Sequence, residues 1–142
     1  MKEQNYKNHR QVVYSYYLLT GVPIIVLIII AARKAFENNN PNHDLWIIAI
    51  LIGWILLTML FRSRGFGLKA QDRAIRAEEG LRYFILTGSA LDARLTLNQI
   101  IALRFASDAE VVQLAQKAVE QNMKPDAIKE AIKSWRPDFH RV

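Results

Sequence analysis

The sequence predicts an all-α protein: a two-helix transmembrane hairpin whose second span continues into a small cytoplasmic helical bundle. Two apolar stretches, Val12 to Ala32 and Leu45 to Phe61, contain no Asp, Glu, Lys or Arg. A mixed-charge segment with helical periodicity follows them, and Lys and Arg crowd the flanks of the apolar stretches. The near-zero mean hydropathy of +0.03 is therefore an average of an apolar half and a polar half.

A residues 1–11 flank, expected to be cytoplasmic, precedes the first span. Residues 12–32 are long enough to cross the ~30 Å hydrocarbon core, and residues 45–61 lie at the short end of the spanning range. A signal peptide would place a small-residue cleavage site after a short apolar centre. Here Ala31 and Ala32 run straight into Arg33 and Lys34, and a second span comes next. A soluble domain of 142 residues could hardly bury so uniform an apolar run. Pro23, after Gly21, should kink the first span, because proline removes one backbone donor and clashes with the preceding turn.

Orientation follows from the cations. The N-terminal flank holds Lys2, Lys7 and Arg10, and the flank after the second span holds Arg62, Arg64, Lys69, Arg73 and Arg76, against only Arg33 and Lys34 in the connection. Both termini are expected to be cytoplasmic, with residues 33–44 as a short external loop. Tyr14, Tyr16 and Tyr17 suit the inner headgroup region and Trp46 the outer one. Within the spans Thr58 can bond its own helix backbone, and Ala49 with Gly53 forms a small-residue pair that lets two helices approach closely. Arg62, Arg64 and Lys69 are candidates for contact with anionic lipid headgroups.

The cytoplasmic module is expected over residues 62–142, with helices near 66–86, 97–105, 108–121 and 125–135. In the first, Gly67, Ala70, Ala74, Ala77, Leu81 and Phe84 recur three or four residues apart and read as a close-packing face for the rest of the module. Asp72, Arg76, Glu79 and Tyr83 lie opposite, so Asp72 with Arg76, Arg76 with Glu79 and Glu78 with Arg82 can pair along the surface. That charged face is either a solvated, salt-bridged surface or a docking surface for a partner or a second copy. Gly88 should end the helix, being tolerant of the left-handed turn. Thr96 with Gln99 and, more cleanly, Ser107 with Glu110 read as capping boxes that start the next two helices. Pro125 fits a first helical position; Ile128, Ala131, Ile132 and Trp135 form the buried stripe of the last helix, and Pro137 stops it.

Val111, Val112, Ala115, Ala118 and Val119 should meet Leu97, Ile100, Ile101 and Phe105 in a small three-helix core, marginal alone and expected to pack against the Ala-rich face of the preceding helix. Arg104 points into that apolar stripe, where an unpaired guanidinium is costly. Its expected partners are Asp108, one turn on, or Glu78 or Glu79 of the neighbouring helix.

Catalytic signatures are missing. The chain has no cysteine, hence no disulfide, thiol nucleophile or thiolate metal site. His9, His43 and His140 fall on three separate segments, and no phosphate loop, HExxH or GxSxG is found. No catalytic, metal or cofactor residues are expected, and no cofactor. The net charge of +6 is modest and concentrated beside the spans. From Leu95 onward seven Lys or Arg meet six Asp or Glu, poor footing for phosphate binding, so nucleic acid is not an expected partner.

The segments Asn5 to His9, Gln71 to Glu79, Gln99 to Asp108 and Trp135 to Val142 resemble the bacterial membrane proteins catalogued as domain of unknown function 6526. The resemblance spans the chain and implies a bacterial inner-membrane location. It implies no activity. Gly80 departs from the family pattern, which carries a larger helix former there; a glycine inside a helix costs up to ~1 kcal/mol.

The expected function is a non-enzymatic, membrane-anchored scaffold or accessory subunit that touches membrane lipid and whose module binds a protein partner or itself. The alternatives are a membrane-tethered nucleic-acid binder, on the helix-turn-helix spacing of the last two helices with Lys129 and Lys133, and an oligomeric transporter or channel subunit.

Overall fold

The computed structural model describes residues 4–9 and 13–138; Lys2, Arg10 and His140 lie outside them. The elements in chain order are α1 (Tyr14–Tyr16), a π-helical turn (Tyr17–Gly21), α2 (Val22–Ala35), α3 (His43–Thr87), α4 (Leu97–Leu103), α5 (Asp108–Glu120) and α6 (Pro125–Ala131). Among the described residues there are no strands, only an isolated bridge between Ala106 and Trp135. The chain divides into an apolar unit, Val12–Gly67, and a polar unit, Met1–Gln11 with Leu68–Val142.

In the apolar unit, α1, the π turn and α2 form one helix of 22 residues, Tyr14–Ala35, and α3 has 45 residues; both are long and apolar enough to cross a membrane. Just ahead of Pro23, where the sequence predicts a kink, the helix has a wide π turn at Tyr17–Gly21. Pro23 cannot donate to the carbonyl one turn back, and an i→i+5 turn just ahead of it absorbs the misfit. Gly21, Ala31 and Ala35 are buried, with Ile24 and Ile28 half-buried between them, a seam at three- and four-residue spacing. Gly53 of α3 is buried against it: a Cβ there would lie 2.5 Å from Cγ1 of Ile28. At the other end of that seam the Tyr16 hydroxyl donates to the Leu60 carbonyl at 2.8 Å. Thr58 bonds its own helix, donating to the Ile55 carbonyl at 2.7 Å. Large side chains such as Leu19, Ile29, Leu51, Trp54 and Met59 point outward and are exposed.

The polar unit has its core in Ile100, Leu103, Phe105, Val111, Leu114, Ala118 and Ile128, with Tyr83 of α3 packed against it. Gly88 ends α3 at φ 71°, its N–H returning to the Phe84 carbonyl at 2.8 Å, as a left-handed terminus requires. Thr96 and Gln99 form a complete capping box on α4. α5 ends at Glu120, and the chain turns left-handed just beyond it at Asn122, φ 45°, with Met123 N–H reaching the Ala118 carbonyl at 3.0 Å.

Several expectations are corrected. The N-terminal residues 4–9 are not a free flank: Gln4 is buried, its side-chain oxygen accepts from Asp138 N–H at 2.8 Å, and the His9 ring lies 5.7 Å from Phe105 and 5.8 Å from Trp135. The polar module accordingly begins near Leu68 rather than at residue 62. Ser107 makes no side-chain cap; Glu110 instead accepts from Lys133 and Ser134 N–H groups at 3.2–3.3 Å, satisfying donors beyond α6 that would otherwise lack a carbonyl. α6 stops at Ala131, because Ile132 turns extended, and Trp135 packs on the core from that extended segment.

The packing face of lower α3 is also reversed. Ala70, Ala74, Ala77, Leu81 and Phe84 are exposed, whereas Ile75 and Glu79 are buried and Arg82 and Tyr83 half-buried. Small alanines offer little area to a core, while the opposite face carries side chains that reach and pair across the gap.

Candidate functional site

Where α3 meets the module, the geometry is organised by Arg82. It sits one turn after Glu79, so both side chains project from the same face of α3. Its guanidinium uses all three nitrogens: Nη1 donates to Glu79 at 2.8 Å, Nε to Asp108 at 2.7 Å, and Nη2 to the Ala106 carbonyl at 2.7 Å. The Arg82 and Glu79 side chains are about nine-tenths buried, and Asp108 is largely exposed. Asp108 opens α5, where a carboxylate also meets the positive end of the helix dipole. A planar, five-donor guanidinium is the side chain suited to bind two carboxylates and a carbonyl at once.

A second arginine joins the cluster from the C-terminal segment. Arg136 Nη1 lies 3.4 Å from the other Glu79 oxygen, and Arg136 N–H donates to the Phe105 carbonyl at 2.7 Å. Arg104 is buried, stacked with its Cζ 4.6 Å from the Phe105 ring centroid and its Nε 3.2 Å from Asp138. Among the described residues its ion pair is with Asp138 rather than with the expected Asp108, Glu78 or Glu79; Arg82 already holds Asp108 and Glu79. A cleft of about 640 Å³ runs between α3 and this segment, lined by Gln71, Ala74, Ile75, Glu78 and Glu79 of α3 and by Arg104, Arg136, Pro137 and Asp138. Cations and carboxylates share its walls and pair across it.

Of the residues singled out from the sequence, Glu79, Arg82 and Asp108 come together, and Arg104 stands near them. Asp72, Arg76 and Glu78 take part in no ion pair among the described residues, so the anticipated Asp72–Arg76, Arg76–Glu79 and Glu78–Arg82 pairs are not formed. The i,i+3 pair Glu79–Arg82 replaces them, since Arg82 turns toward the module. Arg62 and Lys69 are exposed without an ion pair among the described residues, and Arg64 lies over the Tyr17 ring at 5.8 Å. Arg136, Asp138 and Gln4 were not anticipated, and Glu110 was expected only as a cap; their partners lie so far along the chain that no local spacing marks them.

The sequence pattern defining the family of unknown function DUF6526 matches residues 1–142. The chain belongs to that family. No curated protein and no solved structure matches it.

In this DUF6526 member no group of three or more His, Cys, Asp or Glu is placed to hold a metal ion among the described residues. The helix-turn-helix spacing of α5 and α6 is occupied by core packing: α6 has seven residues, Ile128 is fully buried, and Lys129 is held 3.3 Å from Asp126. On the rim, Arg94 donates to Asp92 through its side chain and its backbone N–H, holding that carboxyl at a pKa of about 2 against an ordinary 3.8. The DUF6526 site is a set of clamps between α3, α5 and the C-terminal segment.

Proposed function

We propose that the chain is a non-enzymatic, membrane-anchored scaffold or accessory subunit of the bacterial inner membrane. In this reading the apolar unit is a hairpin with both termini cytoplasmic, and the polar unit binds a protein partner or a second copy. The observation that carries it is the continuity of α3: a single helix of 45 residues holds the apolar span at one end and the Glu79–Arg82–Asp108 clamp near the other. A clamp of that kind ties α5 to the lower part of α3 within the polar unit. Its charged groups are spent on one another, which favours a positioning role over acid–base chemistry. The apolar spans carry no ionisable group to mark a transport path.

Native mass spectrometry of the complex extracted in mild detergent tests the scaffold reading. A stoichiometric partner or a defined oligomer is expected; recovery of the chain only as a monomer would overturn it. A reporter fused after Val142 tests the orientation, and activity confined to the outer side would refute it.

A further inference from the structure

The exposed face of lower α3 continues well past the apolar span. Phe66, Leu81, Phe84 and Ile85 are 54–73% exposed, and Ala70, Ala74 and Ala77 lie exposed between them. At 100° per residue this stripe is opposite Ile75, Glu79 and Arg82, which face the module. The module therefore leaves most of it uncovered; only Ala74, with Glu78 beside the stripe, reaches the edge of the cleft to the C-terminal segment.

On the anchored reading the stripe also runs beyond the span along α3. Leu81 and Phe84 are twenty and twenty-three residues beyond Phe61, or about 30–35 Å along one continuous helix. The headgroup layer outside the hydrocarbon is only ~5–8 Å thick on each side.

We infer that this face pairs with the same face of a second copy of the chain, in parallel and in register. The inference rests on the anchored reading, because copies inserted with one topology carry their α3 helices in the same direction. The stripe Gly67, Ala70, Ala74, Ala77, Leu81, Phe84 alternates steps of three and four, the seam of a parallel two-stranded coiled coil, with small residues that let the backbones approach. The flanking charges fit that partner. Arg73 and Glu78 border the seam on opposite sides, five residues apart, the spacing at which one helix meets the other in a parallel pair. Both are exposed and form no ion pair among the described residues. Two-fold symmetry makes each contact twice, so the face is complementary to itself.

Single-cysteine crosslinking in native membranes tests this on the full chain, which has no cysteine of its own. Under mild oxidation Ala70→Cys and Ala77→Cys should form disulfide dimers, while Arg76→Cys, also exposed but off the seam, stays monomeric. In the Ala77→Cys background, Arg73→Glu or Glu78→Arg should lower the dimer fraction about fivefold, and the exchanged pair Arg73→Glu with Glu78→Arg should restore it. Restoration would not follow from a merely structural role for either charge. Equal crosslinking at all three positions, none at 70 and 77, or a product heavier or lighter than two chains overturns the pairing. An alkaline wash of the same membranes separates the two readings: a chain that stays in the pellet without crosslinking sinks the dimer alone, and a chain that washes off sinks the anchor and the parallel orientation with it.

Discussion

Replacing Arg82 with methionine removes three contacts at once while keeping a side chain of similar length. Asp108, largely exposed, loses little, because an exposed pair contributes ~0–1 kcal/mol. Glu79 is the sensitive partner. Its side chain is about nine-tenths buried, and after the change only Arg136 remains, at 3.4 Å. Breaking a buried pair by removing one partner costs about 3–5 kcal/mol, and the Ala106 carbonyl also loses its donor. With Arg136 retained, the expected loss is about 3 kcal/mol, close to a hundredfold in the opening equilibrium. Hydrogen exchange on the full chain in detergent reads it out: the amides of Val111, Leu114, Ala115 and Ile128 should exchange roughly a hundredfold faster, with those of α2 unchanged. Adding Glu79→Gln to Arg82→Met should recover part of the loss, since the stranded charge is then gone. Protection within threefold of wild type in the single variant would refute the argument that this guanidinium holds the module to α3.

Three further outcomes follow from the same geometry. Thr96→Ala should destabilise α4 by ~1 kcal/mol, whereas Ser107→Ala, at a hydroxyl that makes no cap, should change stability by less than ~0.5 kcal/mol; equal losses in thermal unfolding would refute the assignment of the two caps. Gly53→Ala forces a Cβ to within 2.5 Å of Ile28 and should cost about 1–3 kcal/mol in detergent melts, with Ile28→Ala relieving much of it. An unaffected melting temperature would show that the two apolar helices do not meet there. The Asp92 carboxyl should titrate near 2 by NMR and move toward 3.8 in Arg94→Ala. Because its pKa is lower in the folded chain than in the unfolded one, its stabilising contribution is complete above about pH 4 and disappears as pH falls through about 2; an unshifted midpoint in the variant would refute the Arg94 assignment.

Local signals proved readable wherever the physics was local. The uncharged stretches, Gly88 at the end of α3, the Thr96–Gln99 box and Pro125 at the start of α6 each depend on residues within a few positions of one another. Ser107 reads as the better cap and is not one: the Glu110 N–H bonds the Ser107 carbonyl at 3.1 Å, and the Glu110 side chain accepts from N–H groups twenty-three and twenty-four residues away. Arg104 was recognisable as a buried cation in need of a partner. Its partner was not, because Asp138 arrives on a segment held by Gln4 and by the Phe105 carbonyl.

By itself the sequence determined that the chain is helical, that two of its stretches are apolar enough to span a membrane, and that lower α3 has one apolar and one charged face. Only the tertiary structure decided which of those faces meets the module. Hydrophobic periodicity reports that a face is apolar without naming what covers it. A charged face can be buried instead when residues far along the chain supply its counter-charges. Arg82, paired with Glu79 and Asp108 and bonded to the Ala106 carbonyl, is that case.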